Sequence, residues 1–155
     1  MHLPSTVERV PAHTADEINA QIQRQTAQNI SRYAAQGPDA TSRRLRELDE
    51  EWDIERTLEA NAATLSLVGL GLGALVDRRF YALPAAVAGF LLQHALQGWC
   101  PPVPVFRRLG FRTQSEIEQE CYALKALRGD FEGVAHTTGL TSFPDVEKAL
   151  QAVRR

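Results

Sequence analysis

Apolar positions along this chain change their rhythm twice. Residues 14–36 carry a narrow stripe, Ile18, Ile22, Ile30 and Tyr33, on an otherwise polar, Gln-rich run, and Gly37-Pro38 closes it. That spacing predicts an amphipathic helix, opened by Thr14-Ala15-Asp16-Glu17 as a capping box and ended where proline restricts the residue before it. From Asp39 the helical spacing resumes through Leu45, Leu48, Trp52 and Leu58, with no breaker before Val76, so one continuous helix is expected there. Over residues 60–106 the polar face disappears. Segments 60–76 and 80–99 contain no Asp, Glu, Lys or Arg and flank Asp77-Arg78-Arg79. Cys100-Pro101-Pro102-Val103-Pro104 then predicts an extended, non-helical exit.

Beyond the exit the helical rhythm returns. Thr113-Gln114-Ser115-Glu116 repeats the capping box and opens a helix to about Arg128, lined by Ile117, Cys121 and Leu124 and ended by Gly129. A last short helix is expected with Ser142 as N-cap, Pro144 in its first turn, and Phe143, Val146, Leu150 and Val153 as its apolar face. Residues 1–13 hold two prolines without periodicity and read as an extended or mobile arm. The expectation is an all-α chain in four parts: an arm and helix (1–38), an amphipathic pre-membrane helix (39–59), a two-helix hairpin (60–106) and C-terminal helices (107–155).

The hairpin points to a lipid bilayer. Seventeen residues of helix span roughly 25 Å and twenty about 30 Å, against a hydrocarbon core of about 30 Å. Tyr81 and Trp99 fall near opposite ends of the second segment, where aromatic rings favour the membrane boundary. Gly69 and Gly73 on the first helix, with Ala85 and Gly89 on the second, predict a close helix–helix face. In a solvent-exposed helix each glycine would cost about 1 kcal/mol relative to alanine. The soluble alternative is the buried core hairpin of a helical bundle. Orientation follows from basic residues: Arg43, Arg44, Arg46, Arg56, Arg107, Arg108 and Arg112 flank the hairpin, and only Arg78 and Arg79 lie in its turn. Both termini are therefore expected in the cytoplasm, with Arg107, Arg108 and Arg112 facing lipid phosphates.

Composition narrows the function classes. The mean hydropathy of −0.26 averages an apolar centre with charged flanks and conceals the hairpin. A net charge of −2 argues against dedicated nucleic-acid binding. Cys100 and Cys121, without a C-x-x-C partner, exclude a disulfide framework and suit a reducing compartment. Residues 1–20 have no apolar signal core, so the hairpin itself is expected to be the membrane address. No nucleotide, zinc or hydrolase motif is present, no cofactor is implied, and Gly69-Leu70-Gly71-Leu72-Gly73 lacks the strand context of a nucleotide loop.

Two features carry candidate chemistry. Counted from Arg78, Asn61 and Thr64 lie 17 and 14 residues along the first helix, and Gln93, His94 and Gln97 lie 15, 16 and 19 along the second. This predicts an intramembrane polar layer, read as interhelical hydrogen-bond glue or, more sharply, as a pocket where His94 assists chemistry near Cys100. Cys100 reads as an inert small side chain or as a reactive thiol activated by Arg107 and Arg108. The acidic run Asp49, Glu50, Glu51, Asp53 and Glu55 reads as a solvated face rather than a metal site.

Gly98-x-Cys100-Pro101 followed by Leu109-Gly110, at this distance from two apolar helices, resembles the YgaP-like inner-membrane hairpin, a bacterial domain of unknown function. The resemblance covers residues 56–112 and implies a cytoplasmic-membrane hairpin, dimeric through its helices. Some relatives fuse it to a rhodanese sulfurtransferase domain, and the helical, polar flanks of this chain lack the alternating pattern of one. The expected role is a non-enzymatic anchor or assembly partner. The alternatives are a sulfur- or redox-handling protein using Cys100 with a separate sulfurtransferase, and a soluble helical-bundle interaction protein.

Overall fold

A computed structural model describes residue 5, residues 7–132 and residues 143–154. Every regular element among them is helical: α1 (Asp16–Ala35), α2 (Pro38–Glu50), α3 (Ile54–Leu75), α4 (Ala82–Gln97), α5 (Val103–Arg108), α6 (Gln114–Arg128) and α7 (Phe143–Arg154), with short 3-10 turns at Pro11–His13 and Arg78–Tyr81. The chain forms two contact units, Met1–Arg24 with Trp52–Ser115 and Gln25–Glu51 with Glu116–Arg155.

The first unit is built on the α3/α4 hairpin. The single long helix expected from Asp39 to Val76 is broken at residues 51–53, where Glu51 and Asp53 take extended geometry. The physical reason lies in the acidic run. Carboxylates oppose the negative end of a helix and favour the start of one, so α2 stops among them and Asp53 caps α3, its Oδ1 accepting from the Arg56 N–H at 2.7 Å. At the turn, Asp77 Oδ1 accepts from the Arg79 N–H at 2.8 Å. The proline-rich exit also departs from expectation. Pro102 is the N-cap of α5 and Pro104 lies in its first turn. Proline is barred from helix interiors but suits the first turn, where its missing N–H costs nothing.

Residues 7–13 are not a free arm. Val10, at 1% exposure, packs with Ile54, Leu58, Cys100 and Val103, and Phe106 and Phe111, edge to face with each other, close on that cluster. The predicted Thr14 capping box is replaced by a tertiary role: Thr14 Oγ1 donates to the Val10 carbonyl at 2.8 Å and accepts from Arg107 Nε at 3.2 Å.

The second unit gathers Leu45 and Leu48 of α2 with Ile117 and Leu124 of α6, and Ile30, Tyr33 and Cys121 pack on them. Glu120 is fully buried and receives Arg44 Nε at 2.8 Å, while the Arg44 guanidinium lies 5.5 Å from the Tyr33 ring centre. A buried carboxylate needs such a partner to remain charged. In α7 the expected face is not the one covered: Val146, Leu150 and Val153 are exposed and Ala152 is buried. The Ser142 cap and the Phe143 and Pro144 side chains lie outside the described residues.

Candidate functional site at the open end of the hairpin

Capping fixes the geometry of the open end. With Asp53 as N-cap, Glu55 stands half-buried in the first turn of α3. On the facing helix, His94 is buried in the last turn of α4, and its carbonyl receives the Gly98 N–H at 2.7 Å. Glu55 Oε2 lies 2.7 Å from His94 Nε2, and Glu55 Oε1 accepts from Arg9 Nη2 at 2.9 Å. Arg9 Nη1 also donates to the Ala95 carbonyl at 3.3 Å. One carboxylate thus joins α3, α4 and the N-terminal segment. The His94 hydrogen bond is the main influence holding the Glu55 carboxyl below its usual range, helped by His94 and Arg9 charge and opposed by burial. His94 Nδ1 and Arg9 Nε are buried without a hydrogen-bond partner among the described residues.

Gly98 makes the approach of the N-terminal segment possible. Its φ of 78° lies in the left-handed region, and a Cβ there would stand 2.4 Å from the Arg9 carbonyl oxygen. Both facts favour glycine.

Cys100 is 2% exposed. Burial is the chief cause that pushes its thiol above the ordinary range; Glu55 adds to this and a hydrogen bond from the Val103 backbone partly offsets it. A thiol held protonated in this way is a poor nucleophile at neutral pH. Arg107 does not activate it. Arg107 is buried and donates to Thr14 Oγ1 at 3.2 Å, Asn19 Oδ1 at 3.0 Å and the Phe111 carbonyl at 3.1 Å. Arg112 is buried as well, and its carbonyl receives the Ile54 N–H at 2.8 Å. Of the three arginines expected to face lipid phosphates, only Arg108 is exposed. Arg107 sits in the core because its guanidinium satisfies several backbone and side-chain oxygens at once.

The predicted polar layer is gathered only in part. His94 is buried, Asn61 and Gln93 are half-buried, and Thr64 and Gln97 are exposed. Thr64 Oγ1 donates to the Ala60 carbonyl of its own helix at 2.8 Å. Counting from a turn gives depth along a helix but not the face, which rotates by about 100° per residue. Asn61 instead borders a half-open recess of about 120 Å³ lined also by Leu58, Ala62, Leu65, Phe90 and Cys100. The small residues divide as well. At Gly69 a Cβ would lie 2.6 Å from Pro84 Cδ, and at Gly73 2.7 Å from the Tyr81 ring, so Gly69 lies at the α3/α4 contact and Gly73 against the 3-10 turn that leads into α4. Ala85 and Gly89 are on α4, Ala85 exposed and a Cβ at Gly89 meeting nothing within 4 Å, so they stand outside that contact.

Sequence reasoning missed Glu55, Arg9, Thr14 and Asn19 as members of this site. Asp53 read as an N-cap within the acidic run would have split α2 from α3 and placed Glu55 in a first turn. No group of three or more metal-ligating side chains occurs among the described residues. No family model, curated protein or solved structure matches this chain.

Proposed function

We propose that this chain is an integral hairpin protein of a bacterial cytoplasmic membrane, a non-enzymatic anchor or assembly partner whose polar helices remain on the cytoplasmic side. The observation that carries the reading is the surface of α3. Of the described helices only α3 carries a stretch long and apolar enough to cross a membrane, yet only 22% of that stretch is buried. A core helix of a soluble protein is apolar because it is covered; this one is apolar and bare, which lipid explains. Leu67, Leu70, Leu75, Val76, Phe80, Leu92 and Leu96 continue the bare surface around the turn and along α4.

In this reading residues 60–76 and 80–99 enter the bilayer as a pair. The 16 residues of α4 give about 24 Å, so the pair crosses with its turn close to the far interface or in a locally thinned bilayer. The basic count supports cytoplasmic termini even without the buried Arg107 and Arg112 and the paired Arg44: four arginines, Arg43, Arg46, Arg56 and Arg108, remain on that side, against Arg78 and Arg79 in the turn. The YgaP-like resemblance belongs to the same reading, as does a homodimer through the helices, with Ala85 and Gly89 permitting close approach of a second copy. The buried, protonated Cys100 thiol weighs against the sulfur-handling alternative.

The test is fractionation with topology mapping. The protein is expected to pellet with membranes and resist carbonate extraction, and a Val76→Cys variant to react with a membrane-impermeant maleimide from the periplasmic side. Release by carbonate, or labelling of that position only from the cytoplasmic side, would remove the two-span reading.

A further inference from the structure

The N-terminal segment meets the hairpin as a ligand meets a receptor. Its Arg9 guanidinium is read by Glu55 Oε1 at 2.9 Å and by the Ala95 carbonyl at 3.3 Å, two acceptors on two different helices. Its Val10 side chain enters an apolar cup made by Ile54, Leu58, Cys100 and Val103. Its Arg9 backbone lies against Gly98, where any Cβ would collide with it. Pro11 then starts the 3-10 turn that leads the chain away. An ionic anchor, an apolar anchor one residue on, and a backbone-contacting glycine together specify a short sequence, arginine then a branched apolar residue. The cup shares Leu58 and Cys100 with the recess between α3 and α4, so the seated segment forms one wall around the thiol at this end.

We propose that the open end of the hairpin is a peptide-binding site for segments of the class arginine–branched apolar, held in the resting chain by its own Arg9-Val10. The resident segment is a displaceable latch over Cys100. His94 positions the Glu55 carboxylate by occupying its other oxygen, and leaves Oε1 free for the guanidinium. This inference does not depend on the membrane reading, because the site is complete within one contact unit.

The experiment uses the full chain in detergent and follows alkylation of Cys100, with Cys121 as the internal control. A Val10→Asp variant cannot place its carboxylate in the cup, so Cys100 is expected to react about tenfold faster or more, as local opening exposes it. Cys121 should keep its rate. A nonapeptide with the sequence of residues 5–13, added in excess, should slow Cys100 again, and the same peptide carrying Arg9→Ala should not. Should Val10→Asp fail to fold, the Arg9→Ala chain serves instead, with a smaller acceleration of about threefold and the same peptide discrimination. The proposal is overturned if Cys100 keeps its rate in the variant, if peptide gives no protection, if both peptides protect equally, or if Cys121 accelerates in step with Cys100, which would make the segment a folding element of the whole chain.

Discussion

The two ends of the α3/α4 hairpin are made from the same two helices and solve opposite problems. At the open end Ile54 and Val103 are fully buried, charged groups are tied to named partners, and a third segment plugs the gap. At the turn end Leu75 is 87% exposed and Leu67 70%, and what holds the helices together is the contact of Gly69 with Pro84 and of Gly73 with Tyr81. The difference teaches where the hairpin draws its stability: from a protein core at one end, and from close backbone approach at the other, with its outer surface left to the surroundings.

Truncation at the two ends should expose this asymmetry most strongly. Ile54→Ala removes a fully buried side chain from the Val10–Cys100–Val103 cluster and is expected to cost about 2–5 kcal/mol. Leu75→Ala, almost bare, should stay within roughly 0.5 kcal/mol. Denaturant unfolding in detergent followed by circular dichroism measures both; equal losses would mean that the open end holds no core.

The helical class, the hairpin and its turn are legible in the sequence because charge is absent from residues 60–76 and 80–99 and returns abruptly between them. The open end is not legible, and the reasons differ residue by residue. Glu55 sits in a run of five acids, and composition treats such a run as one solvated face, although Asp53 acts there as a cap and Glu55 as a half-buried anchor. Arg9 belongs to a stretch without periodicity, where only tertiary contact gives the residue a place. Arg107 resembles a lipid-facing cation because its role depends on Thr14 and Asn19, 93 and 88 positions away. His94 and Cys100 both stand out in the sequence, and the structure brings Glu55 to His94 instead of joining His94 to the thiol. Pro102 and Pro104 have the composition of a breaker, while their position at a helix start makes them initiators.

A second contrast sharpens the turn end. Gly73→Ala places a Cβ 2.7 Å from the Tyr81 ring and Gly69→Ala one 2.6 Å from Pro84, whereas at Gly71 nothing lies within 4 Å. The first two substitutions are expected to destabilise by about 1–3 kcal/mol through overpacking. Gly71→Ala should be neutral or stabilising by up to about 1 kcal/mol, since alanine is the better helix former. If all three behave alike, the helices are not in close contact at these positions.

Acidification probes the open end alone. The Glu55 carboxyl is held below its ordinary value of 4.5, chiefly by the His94 hydrogen bond. A depressed carboxyl contributes stability that is fully present above the unfolded value and is lost as pH falls through the folded one. The stability gap between the wild type and Glu55→Gln should therefore close progressively as pH falls below about 4.5. Unfolding midpoints of the two proteins, compared from neutral pH down to about pH 3, measure it. A gap that widens on acidification would contradict the Glu55 geometry.

The smallest effect within one chain is expected on the outer face of α4. A methyl group added at Gly89 would meet nothing within 4 Å, and Ala85 is exposed one turn away, so neither contributes to the hairpin's own packing. Gly89→Ala should leave the monomer unchanged or more stable by up to about 1 kcal/mol. That neutrality makes the position informative about association. If two copies pack through small residues, Gly89→Leu will separate the helices and weaken the dimer while the unfolding midpoint of each chain is preserved. Sedimentation in density-matched detergent, beside the unfolding curve, reads the two quantities separately. A dimer indifferent to Gly89→Leu would move the association surface off this face of α4, leaving the bare side of α3 around Leu67 and Leu70 as the surface to test in the same way.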